Sequence, residues 1–142
     1  MSLDNVENLR ALLKKNFEDI RAFVDEMKRG DADLSLFDTD VVYEDANLPD
    51  HVGESYHGHE GVGRAAERWA NASETLTLEL ERIVGSGDRL VSIHKSHSRA
   101  AYSGIEFDGP LAYAWTFRDG KIIHFQSFRT QEEALEAAGL TE

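Results

Sequence analysis

A carboxylate at the end of an apolar strand, followed by a loop crowded with histidines, is where this chain first offers chemistry. The segment VVYEDANLPDHVGESYHGHEGVGRAAERW, residues 41–69, places Glu44 and Asp45 behind a β-branched run. It then sets His51, His57 and His59 ahead of a helix carrying Trp69. Side chains alternate along a strand, so Tyr43 and Asp45 share one face and Val42 and Glu44 the other, and only one of the two acids can point inward. A carboxylate partly desolvated by an apolar wall gains proton affinity and works as a general base where a donor meets the charge that develops on the substrate. Asp45 is the candidate base on that reasoning, and the same residue equally suits a strand-end Asp that caps the following loop. Phe23, Trp69, Trp115 and Phe128 are candidates for the wall. Tyr113 is the candidate donor, helped by Tyr43 or His94. The three histidines with Asp45 also have the donor types of a zinc, iron or nickel site. No G-x-S-x-G elbow and no cysteine is present, which leaves serine-elbow and thiolate nucleophiles without support.

The elements that must hold these residues follow from periodicity. Leu9, Leu12, Leu13, Phe17, Ile20, Phe23, Val24 and Met27 recur at helical spacing after Asp4 and Glu7, which have the form of a cap. Asn16 marks a possible break between two helices, and Gly30 ends the region. Residues 31–40 read as a short helical turn, 41–45 as a strand, and the stretch with Pro49 and Gly53 as a loop. From His59 a helix turns Val62, Ala65, Ala66 and Trp69 to one side, with Gly61 and Gly63 signalling close packing or a frayed start. Beyond Glu74 the period becomes two. Leu76, Leu78 and Leu80 form one apolar face, and Ser92, His94, Ser96 and Ser98 form an unusually polar one. Leu111, Tyr113, Trp115 and Phe117 line a further strand, and Pro110 implies an edge or bulge there. Asp119-Gly120 is a strong hairpin signal that pairs the last two strands antiparallel. His94 and His124 are expected on neighbouring strands with their polar sides turned toward the enclosed face. Thr130 with Glu133 repeats a capping box before a short final helix. The order predicts an α+β layout with helices gathered on one face of an antiparallel meander.

Composition sets the outer limits. At 142 residues, with 41% hydrophobic and 30% charged residues, the chain reads as one globular domain able to bury a core without disulfides or metal. Its 15 Lys and Arg against 27 Asp and Glu give a formal net charge of −12, which disfavours nucleic acid and anionic membrane surfaces. The lack of cysteine and the acidic start MSLDNVENLR lead to the expectation of a cytoplasmic protein with no membrane span.

The phrases YHGHEGV before a helix, TFRDGKI in the terminal hairpin and EALEAAGL at the end, in this order of elements, resemble the SnoaL-like polyketide cyclases. These belong to the nuclear-transport-factor-2-like superfamily, which also holds the ketosteroid isomerases. The resemblance implies a cystatin-like α+β barrel: a curved antiparallel sheet wrapped around N-terminal helices as a cone whose open end leads to an apolar pocket. It also implies a homodimer. Ketosteroid isomerases carry a general-base Asp at the end of the first strand, in a phrase resembling VVYEDANLP, and that position lands on Asp45. Their oxyanion hole pairs a Tyr near the end of the first helical region with a protonated Asp before the last hairpin. Those positions fall on Phe23 and Tyr113, so the chain departs from the isomerases at both and keeps one donor, now a phenol. HGHEG resembles a loop-to-helix phrase of the family that is not a ligand set, so no metal and no cofactor is expected. The function expected is a cofactor-independent isomerase or cyclase acting beside a carbonyl on a small apolar or polyketide-like ligand. Phe23, Tyr43, Trp69, His94, Trp115, His124 and Phe128 would line the pocket. Two other classes stay open: a hydrolase in which Asp45 activates water, with Arg99 as the candidate cation, and a non-catalytic ligand-binding or dimer-forming domain.

Overall fold

Buried leucines and aromatics at helical spacing fix the N-terminal layer. Helix α1 (Ser2–Leu12) runs into a single π turn at Leu13–Phe17, and helix α2 (Ile20–Arg29) follows. The break comes later than Asn16: Asp19 caps α2 by accepting the Ala22 N–H at 3.0 Å. Helix α1 starts at Ser2, so Asp4 lies inside it and not at its cap. The computed structural model describes residues 2–45, 54–100 and 103–140; His51 lies outside them. None of the described helices is long and apolar enough to cross a membrane.

The strands are β1 (Phe37–Asp45), β2 (Glu54–His57), β3 (Ser73–Ser86), β4 (Arg89–Ala100), β5 (Glu106–Arg118) and β6 (Lys121–Phe128). Helix α3 (Gly58–Ala72) lies between β2 and β3, and helix α4 (Gln131–Ala137) ends the chain. They form one curved sheet in the order β2-β1-β6-β5-β4-β3. Register shifts in the β1–β6, β3–β4 and β5–β6 pairs supply bulges of the kind that bend a sheet. The α1–α2 region and α3 fill its concave side, where the main core lies.

Several expectations change here. The sheet is not wholly antiparallel, because β1 pairs with β6 in parallel, and it is an open sheet whose edge strands are β2 and β3. Residues 37–40 belong to β1 and not to a helical turn; Phe37 and Val41 point inward on the same parity as Tyr43 and Asp45. Part of the expected loop is strand β2, which pairs antiparallel with β1. Helix α4 leaves the other helices and covers the convex face, where Ala134, Leu135 and Ala138 pack on Val91, Ile93 and Ala112.

The turn signals hold. Asp119 and Gly120 both have positive φ (54° and 78°), the two-residue geometry that matches strand twist in a hairpin. The Thr130 hydroxyl accepts the Glu133 N–H at 3.2 Å. Pro110 sits where β5 pairs with β4 alone, since the β5–β6 ladder begins at Ala112, so its missing N–H breaks no ladder bond to β6.

Gly61 resolves toward close packing: a Cβ there would stand 2.9 Å from the Tyr56 carbonyl carbon, so α3 rests on the β2 backbone. A Cβ at Gly63 would meet only the flexible end of Met27. Gly61→Ala is therefore expected to lower the unfolding free energy by about 1–3 kcal/mol. Gly63→Ala should stay within about 1 kcal/mol of the parent, as helix propensity offsets the adjustment of Met27. Urea unfolding of the two variants checks the contrast, and equal effects would contradict this packing.

Candidate active site

Register assembles the site. The pairings Asp45↔Ser127, Tyr113↔Ser127 and Ser92↔Tyr113 place these four residues in one row across β1, β6, β5 and β4. All four are buried, and Asp45, Ser92 and Ser127 are completely so. The Ser127 hydroxyl donates to Asp45 Oδ1 at 3.1 Å. The Trp69 indole N–H reaches down from α3 and donates to Asp45 Oδ2 at 2.6 Å. The Tyr43 hydroxyl, on the same strand face, interacts with Asp45 and Ser127, and Tyr113 interacts with Tyr43. A buried carboxylate is costly unless such donors surround it.

A cavity of about 90 Å³ meets this row at Tyr113. Its walls are Phe17, Ile20 and Phe23 from the helical layer, Val62, Ala66 and Trp69 from α3, and Leu76 and Leu78 from β3. Tyr43, Leu111, Tyr113 and Phe125 extend the wall on the sheet side, and Ser96 and Ser98 give one edge a polar character. Asp45 lies behind this surface, joined to it through Tyr43 and Trp69. Burial is the main cause that lifts both phenols above their ordinary range. For Tyr43 the neighbouring Tyr113 and then the Asp45 charge add to it, and for Tyr113 the Asp45 charge does. Both therefore remain O–H donors at neutral pH.

A family model described as SnoaL-like domain matches residues 20–125. The chain belongs to the SnoaL-like domain family. Solved structures share the fold. A protein assigned as a SnoaL-like polyketide cyclase, from Jannaschia sp. CCS1, superposes with a TM-score of 0.72 at 17% identity, over 96% of this chain and 92% of that one. TerC, co-crystallised with polyporic acid, gives 0.65 at 20% identity, over 92% and 96%. A ketosteroid isomerase-like protein from Catenulispora acidiphila DSM 44928, in complex with trimethylamine, gives 0.59 at 20% identity, over 75% and 79%. Among curated proteins none matches the sequence.

Within this SnoaL-like domain the expected pocket residues fall into three groups. Phe23, Tyr43, Trp69 and Tyr113 line the cavity. Trp115 and His94 face the same side one layer deeper. Trp115 stacks on Phe125 at 4.7 Å between ring centroids, and His94 meets the Tyr113 ring edge-on at 5.6 Å. His124 and Phe128 lie on the opposite face. His124 Nε2 pairs with Glu44 Oε2 at 3.3 Å, and Phe128 packs in the cluster under α4. The register shift between Thr116 and Phe117 explains this, because it lets Ile122 and Phe125 both point inward and so reverses the parity of His124. Arg99 pairs with Glu106 on an exposed edge, outside the cavity lining. His57 is exposed, and His59 Nε2 donates to the Phe37 carbonyl at 2.9 Å as a strand-to-helix tie. The described residues contain no metal-binding cluster.

Ser127 and Ser92 are the residues that periodicity did not single out as a site. Ser127 acquires its role only from the parallel β1–β6 pairing. Ser92 Oγ accepts the Trp115 indole N–H at 2.8 Å and is hydrogen-bonded with His94 Nε2 at 2.9 Å. Burial keeps the His94 ring neutral. Nδ1 makes no hydrogen bond of good geometry among the described residues, although the Leu78 carbonyl is near enough to favour a proton there. Burial outweighs that carbonyl and lowers the His94 pKa from 6.5 to about 4.

The unfolded chain thus takes up a proton at His94 before the folded one does. The stability that neutral His94 contributes is present above pH 6.5 and is lost as pH falls toward about 4. Over that window the parent should lose on the order of 3 kcal/mol more unfolding free energy than His94→Gln. Denaturant unfolding of both proteins along a pH series measures the difference, and parallel curves would refute it.

Proposed function

We propose that this SnoaL-like domain binds a small, mainly apolar carbonyl compound in the cavity and moves a proton at the carbon beside the carbonyl. Asp45 takes the proton, and Tyr113, backed by Tyr43, holds the oxygen on which charge develops. The observation that carries this reading is the run of interacting polar groups from the Asp45 carboxylate through Tyr43 to Tyr113, with both phenols in the wall of a mainly apolar cavity. Base and donor are what enolisation needs: one accepts the proton, the other stabilises the enolate oxygen, and the carbonyl is its own electron sink. On this reading the Trp69 indole holds Asp45 Oδ2 in its resting place and yields it as the carboxylate takes up the proton.

The cavity limits the substrate. A dry cavity of roughly 150 Å³ admits a benzene ring, so about 90 Å³ over the described residues suits a compact group, with any larger part of a polyketide-like ligand emerging at the mouth. The polar edge at Ser96 and Ser98 favours an oxygenated rim on that ligand. Structures of the same fold hold trimethylamine in one case and polyporic acid in another, which supports small-molecule binding in general. A homodimer is proposed on the family resemblance alone.

A second reading, ligand binding without turnover, draws on Asp45 itself: both carboxylate oxygens already accept hydrogen bonds, and the residue does not line the cavity. Deuterium exchange at the α-carbon separates the two. A panel of small cyclic ketones and enones is incubated with the protein in D2O and followed by proton NMR. Exchange should be catalysed by the parent, fall by roughly 10³-fold in Asp45→Asn and by about 10–10²-fold in Tyr113→Phe, with ligand affinity held. Binding with no catalysed exchange would establish the second reading, and catalysed exchange indifferent to Asp45→Asn would refute Asp45 as the base.

A further inference from the structure

The π turn at Leu13–Phe17 sends neighbouring side chains to different cavities. Phe17 lines the apolar one, while Lys15 and Asn16 line a separate polar cavity of about 390 Å³. Its walls come from α1, the π turn, the segment before β1 and the β5–β6 hairpin, which supply Asn8, Lys15, Asn16, Asp33, Ser35 and Lys121. None of these enters the proposed proton transfer.

Asn16 is the first sign of a ligand. The residue is only 3% exposed, it lines the cavity, and its side-chain amide has no hydrogen-bond partner among the described residues. Asn5, buried to a similar degree, donates its amide to the Gly87 carbonyl at 2.9 Å. The Asn16 amide meets solvent only through the cavity it lines, and the cavity is the direction from which a partner can come.

Charge is the second sign. Lys15 and Lys121 lie close enough to Asp33 to help hold its carboxyl below the usual range, an effect led by its hydrogen bonds with Ser35. Asp33 Oδ1 accepts the Ser35 N–H at 3.0 Å, and Lys121 Nζ donates to the Ser35 carbonyl at 2.5 Å. Two ammonium groups against one carboxylate leave the cavity net positive on a chain whose formal net charge is −12. A π turn is itself an uncommon feature that recurs at functional sites, and here it presents both the unpaired amide and one of the cations.

We propose that this cavity binds a small organic acid, its carboxylate paired with Lys15 and Lys121 and an adjacent hydroxyl or carbonyl oxygen hydrogen-bonded by the Asn16 amide. Ammonium groups supply attraction for the anion, and a fixed amide selects acids that carry a second oxygen beside it. The site does not depend on the proposed catalysis, since no lining residue is shared.

The test is a titration of the full-length, ¹⁵N-labelled protein with malate, read at the side-chain amide of Asn16. A saturable shift is expected, with the dissociation constant raised about tenfold in Lys15→Gln and again in Lys121→Gln. Both lysines are exposed, so these variants keep the fold even if Asn16→Ala does not. Sodium chloride at matched ionic strength should give no saturable shift. A malate response no different from chloride, or one unchanged in Lys15→Gln, would overturn the site. Inorganic phosphate separates the two features: weaker binding than malate supports the role of Asn16, and equal binding overturns it.

Discussion

The buried Asp45 carboxylate is the constraint from which most of this structure follows. A charge removed from water must be met by donors held in place, or the fold carries an uncompensated ion. Three elements answer that demand: α3 delivers the Trp69 indole, β6 the Ser127 hydroxyl and β1 itself the Tyr43 phenol. For Ser127 to stand beside Asp45, β1 must lie against β6, and it does so in parallel. For Trp69 to reach Asp45, α3 must sit close upon the sheet, which the absence of a side chain at Gly61 permits. The mixed sheet and the close helix are thus parts of one electrostatic solution.

Around that carboxylate the inner face of the sheet is divided by chemistry. Tyr43, Phe125 and Trp115 stack in succession, with centroids 4.4 and 4.7 Å apart, and form a rigid aromatic layer. Phe17 closes on Tyr113 edge-to-face at 5.4 Å. Such contacts fix ring orientation as well as burying area. Beyond the layer, Ser92 Oγ meets both the Trp115 indole N–H and His94 Nε2, which leaves His94 Nδ1 as the one buried side-chain polar atom without a partner among the described residues. The polar strand face visible in Ser92, His94, Ser96 and Ser98 serves two ends: its first half is internal bonding and its second half is cavity edge.

Much of this was legible from residue order. Strand parity put Asp45 and Glu44 on opposite faces, the Asp119-Gly120 pair specified its turn, and alternation placed Tyr113 and Trp115 on one face. Each of these depends on neighbours a few residues apart. What was not legible depends on distant partners. The parallel contact of β1 with β6 joins residues some eighty positions apart, and nothing local to Ser127 announces it. The bulge that turns His124 and Phe128 outward arises from the mismatch of two strands, not from either one. The histidines of the loop looked like a ligand set because side-chain type is visible in sequence, whereas His59 is committed to a backbone carbonyl that only the fold brings near.

Phe23 gives the last step. In the ketosteroid isomerases the resemblance places one oxyanion donor on a helix, and here that position is apolar. The phenols instead belong to β1 and β5, strands on either side of β6. A donor on a helix is placed by how that helix docks, which shifts with every change of core volume. Side chains on one sheet, as Asp45, Tyr43 and Tyr113 are, are placed by register, which changes only in whole residues. With Asp45 and both phenols placed by the sheet and α3 tied to Asp45 through Trp69, α1 and α2 are the elements free to vary in tilt and bulk and so to reshape the cavity without moving Asp45 relative to Tyr113. The loss of the helical donor then need not be the loss of a site: it separates the part of the protein that would act from the part that would select what it acts on.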